Sequence, residues 1–413
     1  MDTKYIFRTA LLSSVLLATA SCIYPFEPEL PSVTEAPLVV EGDIHIGGQT
    51  TLRLSHVKSF YETESSTTSI YVRGHIEGED GTTVQGQGFI VPGGINLPYG
   101  DGVYSDGVNQ LWFDTADLRP DQRYRLQFST FTQGGDVLNS FESDWLQPAP
   151  APTIDGLSYS LHEELDQLWI GLTMHGNGSK YFRWTFSEVW EYHSDINSNF
   201  EYHPESRTIT SNFDKPTLYY CWSRYNSPQI NIFSTANQTE DRFEELAFHR
   251  IGRTDKRLQV LYHITVRLEG MTEDAYNYWN NIQQGSEGQG SIFSPTPSEM
   301  ASNIRCVTDP GLQVIGYLNA SVQAEADMYY DNQQVGFYKA SSSRNIRDDQ
   351  KVPVNRPDSM AYWYARSYLP YSAIYEGLSD APSHYMWTPK PCIDCRMQGG
   401  SKNKPEGWPN DHR

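Results

Sequence analysis

Beyond its first two dozen residues the chain has no apolar run of the roughly 20 residues that a bilayer-crossing helix requires, so its body is expected to be soluble. Basic side chains are also scarce. Only 31 Lys and Arg stand against 51 Asp and Glu, a formal net charge of −20. Such a surface repels phosphate backbones and excludes nucleic acid as a partner. There is no H-E-x-x-H, no G-x-S-x-G and no P-loop, because Gly399-Gly400-Ser401-Lys402 lacks the upstream glycine and the strand before it. His193 and His203 lie near Glu191, Asp195, Glu201 and Glu205, but this run reads as a solvated acidic loop rather than a metal site. Asp101 and Asp106, set among glycines, read as a hairpin because the twelve-residue calcium-loop order is absent. No catalytic residue, metal or cofactor is expected, and the chain reads as a non-enzyme.

Cysteine is the next shortage, with five in 413 residues. Cys22 follows Lys4 and Arg8, an apolar stretch from Ala10 to Ala20, and the small residues of Leu17-Ala18-Thr19-Ala20-Ser21. That order is a secretory signal over 1–21 with a lipoprotein processing site, which makes Cys22 the lipidated first residue of the mature chain. Residues 22–36 are Pro-rich and form a semi-rigid tether. Cys221, Cys306, Cys392 and Cys395 remain, an even set that in an exported chain favours structural disulfides, with three connectivities open. A four-cysteine zinc site or redox chemistry at Cys392-Ile-Asp-Cys395 is the lesser alternative, since Pro391 and a Gly-rich tail flank it rather than a strand leading into a helix.

What the chain does have is aromatic residues, 13% of the total with 27 Tyr and 10 Trp, together with 31 Gly and 24 Pro. Strand formers separated by turn formers predict an all-β protein. Its length suits about two domains. The first, over 37–147, is expected to be an immunoglobulin- or fibronectin III-like sandwich. In Leu118-Arg119-Pro120-Asp121-Gln122-Arg123-Tyr124 a turn precedes a strand whose Tyr124, Leu126 and Phe128 share one face, the pattern of a tyrosine corner. Pro148 to Pro152 marks the boundary. The second, larger β domain over 148–390 includes a long strand with Phe182, Trp184 and Phe186 on one side and a clean alternation over 258–268. One helix is expected over 272–283, with Thr272 as N-cap and Ala275, Tyr278, Trp279 and Ile282 on its apolar stripe. A loop over 285–298 and a Cys/Gly-rich tail over 391–413, held mainly by its cysteines, complete the chain.

Several stretches, taken in order, resemble the Bacteroidetes outer-membrane lipoproteins grouped as domain of unknown function 4249. They are Leu38-Val39-Val40-Glu41-Gly42, Tyr181 to Trp190, Tyr220-Cys221-Trp222, Ala275 to Trp279, Gly290 to Phe293, Ile315-Gly316-Tyr317 with Ala320-Ser321, and Cys392 to Arg396 followed by Gly399-Gly400, Pro405 and Trp408-Pro409. The resemblance implies a lipid-anchored outer-membrane protein, facing the cell surface, that works as accessory subunit of a TonB-dependent barrel in substrate capture or uptake. A free-standing adhesin or glycan- or protein-binding module is the alternative. Asp114-Thr115-Ala116 and Asp358-Ser359-Met360 further resemble the sites at which exported Bacteroidetes proteins are O-glycosylated, which makes Thr115 and Ser359 candidates.

Overall fold

The computed structural model describes residues 37–409 except 57–70, 91–108, 133–134, 212, 214–217, 228–230, 288–301, 341–347 and 379. Cys22, the signal, the tether, Asp101, Asp106 and most of the expected 285–298 loop lie outside those residues. The described chain is predominantly β and forms one compact unit from Pro37 to Arg413.

Two five-stranded sheets pack face to face at its N-terminal end. One carries Leu38–Glu41, Gly48–His56, Asn109–Thr115 and Gln87–Ile90; the other carries Tyr71–Gly78, Thr83–Gln85, Tyr124–Phe131 and Val137–Ser143. Period-two alternation drives Leu52 and Leu54 from the first sheet, and Tyr124, Leu126 and Phe128 from the second, into a common core. Tyr124 is fully buried, and its hydroxyl donates to the Arg119 carbonyl (2.9 Å) while accepting the Arg119 amide (2.7 Å). The hydroxyl bonds expected of the corner are therefore present.

Both sheets are completed from far along the chain. Val314–Ile315 adds a parallel strand beside Leu38–Glu41, and Ile304–Cys306 pairs with Val137–Ser143. Ala320–Ser321 pairs with Ile44–His45. Residues 304–321 thus return to the first sandwich from well past position 148. Gly316, at φ +138°, permits this return, since a Cβ there would lie 2.1 Å from the Val40 carbonyl oxygen. The Pro-rich segment is likewise docked, with Ala149 buried and its amide donating to the Ala320 carbonyl.

The second pair of sheets comprises Thr153–His162, Gln167–His175 and Arg242–Gly252 on one side, and Tyr220–Asn226, Tyr181–His193, Leu261–Met271 and Gln323–Asp331 on the other. Leu168, Ile170 and Ile251 meet Phe186, Tyr262, Ile264 and Val266 between them. The alternation expected from 258 becomes a strand only at Leu261, because Asp255 caps a 3-10 turn over Lys256–Leu258 by accepting the Arg257 amide. The helix spans Glu273–Glu287, four residues beyond its expected end, and the Thr272 hydroxyl accepts the Ala275 amide at 3.2 Å.

A small third sheet of Gln350–Pro353, His384–Pro389 and Tyr368–Ile374 packs with helix Pro357–Ala365 around Trp387, Met360 and Tyr202. The C-terminal segment is not a loose tail. Trp408 is buried against Trp222, Val260 and Leu261, its Nε1 donates to Glu191 Oε2 (2.8 Å), and Ser401 exchanges backbone hydrogen bonds with Trp222. Apolar burial supplements the cysteine that holds it.

Candidate functional site

Strand Tyr181–His193 places Phe186, Glu188, Trp190 and Tyr192 on one face, and these line an open cleft of about 610 Å³ beside the second core. Ser223 and Tyr225 come from the neighbouring strand, His249 from the opposing sheet, and Asp255, Lys256 and Arg257 from the capped turn. Gln398, in the C-terminal segment, closes one side. The cleft is therefore assembled from five stretches of chain, and its volume falls in the range of small-molecule sites.

Its floor is the carboxylate of Glu188, which has no exposed surface. Glu188 Oε1 accepts from His249 Nε2 (2.9 Å), Arg257 Nη1 (2.9 Å) and the Tyr262 hydroxyl (2.7 Å). Burial alone would raise the carboxyl's pKa, but the His249 hydrogen bond and the Arg257 charge more than offset it and hold Glu188 below the ordinary carboxylate value. Asp255 is also held low, burial again opposing, by its hydrogen bonds and charge contact with Arg257. Burial beside Glu188 pushes the Tyr262 phenol well up, so it stays a donor. Arg257 bridges both acids, with Nη2 2.9 Å from Asp255 Oδ2. A carboxylate kept ionised by three donors is poorly placed to give or take a proton near neutral pH, so the arrangement suits binding better than acid–base chemistry.

The cysteines separate. Cys221 and Cys395 form a disulfide across 174 residues, whereas Cys306 and Cys392 are buried thiols. Cys306 lies in the first core with Sγ accepting the Asp309 amide at 3.3 Å, and Cys392 is likewise outside the disulfide, which corrects the expectation that these two join the disulfide set. Cys395 pairs outside its C-x-x-C, not within it. Thr115 is a second correction. Its hydroxyl is fully buried and donates to the His45 carbonyl (2.5 Å), so a glycan does not fit there in the folded chain. Ser359 is half-buried in the first turn of helix Pro357–Ala365. His193 stacks on Tyr219, and His203 bonds to Thr210 across a hairpin; among the described residues no three His, Cys, Asp or Glu converge as metal ligands.

None of the cleft's charged side chains was singled out by sequence. One signal was available: Glu188 holds the same parity as Phe182, Trp184 and Phe186, which makes a charged residue inward-facing in an apolar row. His249 and Arg257 gave no such signal, since only tertiary folding brings them to Glu188.

Several of the described stretches that carried the family resemblance meet in space. Leu38–Glu41 lies beside Ile315-Gly316, Tyr278 contacts Tyr317, and Cys221 is bonded to Cys395. Gly400 sits where a Cβ would lie 2.6 Å from that of Cys221. They are packing contacts of the fold.

The family described as Domain of unknown function (DUF4249) matches residues 23–327. The chain belongs to the DUF4249 family. No curated protein matches it. The DUF4249 match covers both sandwiches and most of the cleft, and ends before the third sheet and the segment bearing Cys395 and Gln398. Membership supports a general role as a Bacteroidetes-associated outer-membrane lipoprotein.

Proposed function

We propose that this DUF4249 protein is a non-catalytic lipoprotein of the cell surface, anchored through Cys22, that captures a solute for a TonB-dependent barrel beside it. The observation that carries this reading is the cleft: a site of receptor size whose acids are neutralised internally and whose walls are aromatic. Such a site favours holding a ligand over transforming it. The first sandwich, with its tyrosine corner, is read as immunoglobulin-like and follows the anchor in sequence.

Side chains suited to a protein contact are present as well. Tyr362, Tyr364, Tyr375 and Leu378 are exposed on and around the third sheet. Exposed aromatics of this kind are enriched in interfaces. Two proteins held on one membrane also gain effective concentration, so a modest contact area suffices. Crosslinking in intact cells followed by mass spectrometry tests the reading, and recovery of a barrel protein is the expected result. Cys22→Ser is expected to release the chain from the membrane fraction. If no barrel is recovered and uptake is unchanged in a deletion strain, the free-standing adhesin or binding module takes its place.

A further inference from the structure

We infer that the cleft beside Glu188 binds a neutral saccharide, stacking a sugar ring on Trp190 and Tyr225. This rests on the capture reading and adds the chemical class of the solute. The first ground is charge. Glu188 and Asp255 are both engaged by Arg257, Glu188 by His249 as well, and the Lys256 ammonium donates to Gln398 Oε1 while lying 5.6 Å from the centre of the Tyr192 ring. An ionic ligand would have to break these pairs, and a buried charge stripped of its partner is costly. A ligand without charge leaves them intact.

The second ground is the character of the walls. Tyr225 is 41% exposed and leans on Phe186, with ring centroids 6.4 Å apart, and Trp190 is half-buried across the same sheet. These rings offer flat apolar faces next to a rim that holds an imidazole, a guanidinium and the Ser223 hydroxyl, while the Gln398 amide is engaged by Lys256 and the Pro391 carbonyl. The rim mixes donors and acceptors within a short distance of an apolar platform. A pyranose matches that mixture, since its C–H face is apolar and its edge carries hydroxyls able both to donate and to accept. A purely apolar ligand would strip water from the Ser223 hydroxyl and from the guanidinium hydrogens not used in pairing, and an acidic or basic one would meet a site with no net charge to offer.

The rim also explains the C-terminal staple. The Cys221–Cys395 disulfide fixes the turn Cys395–Gln398, and with it the Gln398 amide at the edge of the cleft. A preorganised rim lowers the ordering cost of binding.

The test uses the purified full-length protein with maltohexaose, cellohexaose, xylohexaose and mannohexaose as neutral probes, and oligogalacturonate and a lysine-containing tetrapeptide as charged ones, in calorimetry at low and high salt. At least one neutral probe is expected to bind with an affinity insensitive to salt. Tyr225→Ala, at an exposed position, is expected to weaken it about tenfold or more while Tm stays unchanged. Val137→Ala, at an exposed position of the first sandwich, is expected to bind as the native chain does. Binding of the charged probes alone, binding of no neutral probe, or neutral binding that Tyr225→Ala leaves intact overturns the inference. Barrel recovery by crosslinking is a separate result, so the saccharide and the transporter readings fail independently.

Discussion

Glu188 shows what one inward-facing charge demands of its surroundings. Within the folded chain its carboxyl titrates below the ordinary value near 4, so its stabilising contribution is complete at neutral pH and is lost as pH falls through the depressed value. Asp255, Glu269 and Asp394 are held low in the same direction, which predicts a stability plateau near neutrality and a decline below about pH 4. Glu188→Gln keeps the shape but deprives Arg257 of a partner, and is expected to cost about 3–5 kcal/mol at neutral pH. Urea unfolding at several pH values should show that gap narrowing in acid; a constant gap would mean that Glu188 does not titrate with folding. At the surface, Ser359 is the modification site to expect if either candidate is used, since Thr115 donates its hydroxyl inside the fold. Peptide mass spectra of natively expressed protein should find a hexose-bearing Ser359 peptide and an unmodified Thr115 peptide.

Among the elements, those whose information is local were legible. The strand at Tyr124, the long strand from Tyr181, the alternation of Tyr262, Ile264 and Val266, and the helix capped by Thr272 each follow from spacing within a dozen residues. The pieces from 304 to 321 were not, because strands of two or three residues carry too little alternation to assign a partner. Their pairing is set by core burial of Ile304, Val314 and Leu318 and by the close approach at Gly316. The cysteine that holds the C-terminal segment was legible, but its further anchors Trp408 and Gly400 are isolated in sequence, and only the fold reveals what they touch. The disulfide there closes a very long loop, for which the chain-entropy limit is about 5 kcal/mol and usual losses are about 2–4 kcal/mol. Cys395→Ser is expected to lower stability within that range and to expose the segment after Cys392 to protease, with the two sandwiches left folded. Limited proteolysis with mass spectrometry checks this, and resistance equal to the native chain would mean that Trp408 alone holds the segment.

At the scale of the molecule, the two sandwiches are joined by a buried polar knot. Arg183, from the long strand of the second sandwich, pairs with Asp43 of the first and with Glu269 beside it; Nε lies 2.6 Å from Glu269 Oε1. Asp43 Oδ1 accepts the Asn319 amide (2.9 Å), Ser321 donates to Glu269 Oε2 (2.8 Å), and the Arg183 guanidinium lies over the Trp279 ring. The returning segment, the first sandwich, the second sandwich and the helix therefore meet around one guanidinium and its two acids. Burial would raise the Glu269 pKa, but the charges of Arg183 and His45 hold it low, so Glu269 stays ionised and depends on Arg183. Arg183→Met keeps most of the side-chain volume and leaves the buried Asp43 and Glu269 carboxylates without their guanidinium, with His45 beside Glu269 alone. A loss of about 3–5 kcal/mol is expected at neutral pH. The loss should shrink as pH falls, because the orphaned Glu269 regains neutrality by taking up a proton at a higher pH than in the native chain. Combining Arg183→Met with Asp43→Asn and Glu269→Gln should recover much of the stability at neutral pH, since no net charge then remains buried. If unfolding curves show Arg183→Met equally destabilised at every pH and unrepaired in the triple variant, the guanidinium acts through packing against Trp279 and not through charge. If the repair succeeds, electrostatic pairing is what fixes the cleft-bearing sandwich to the one that follows the anchor.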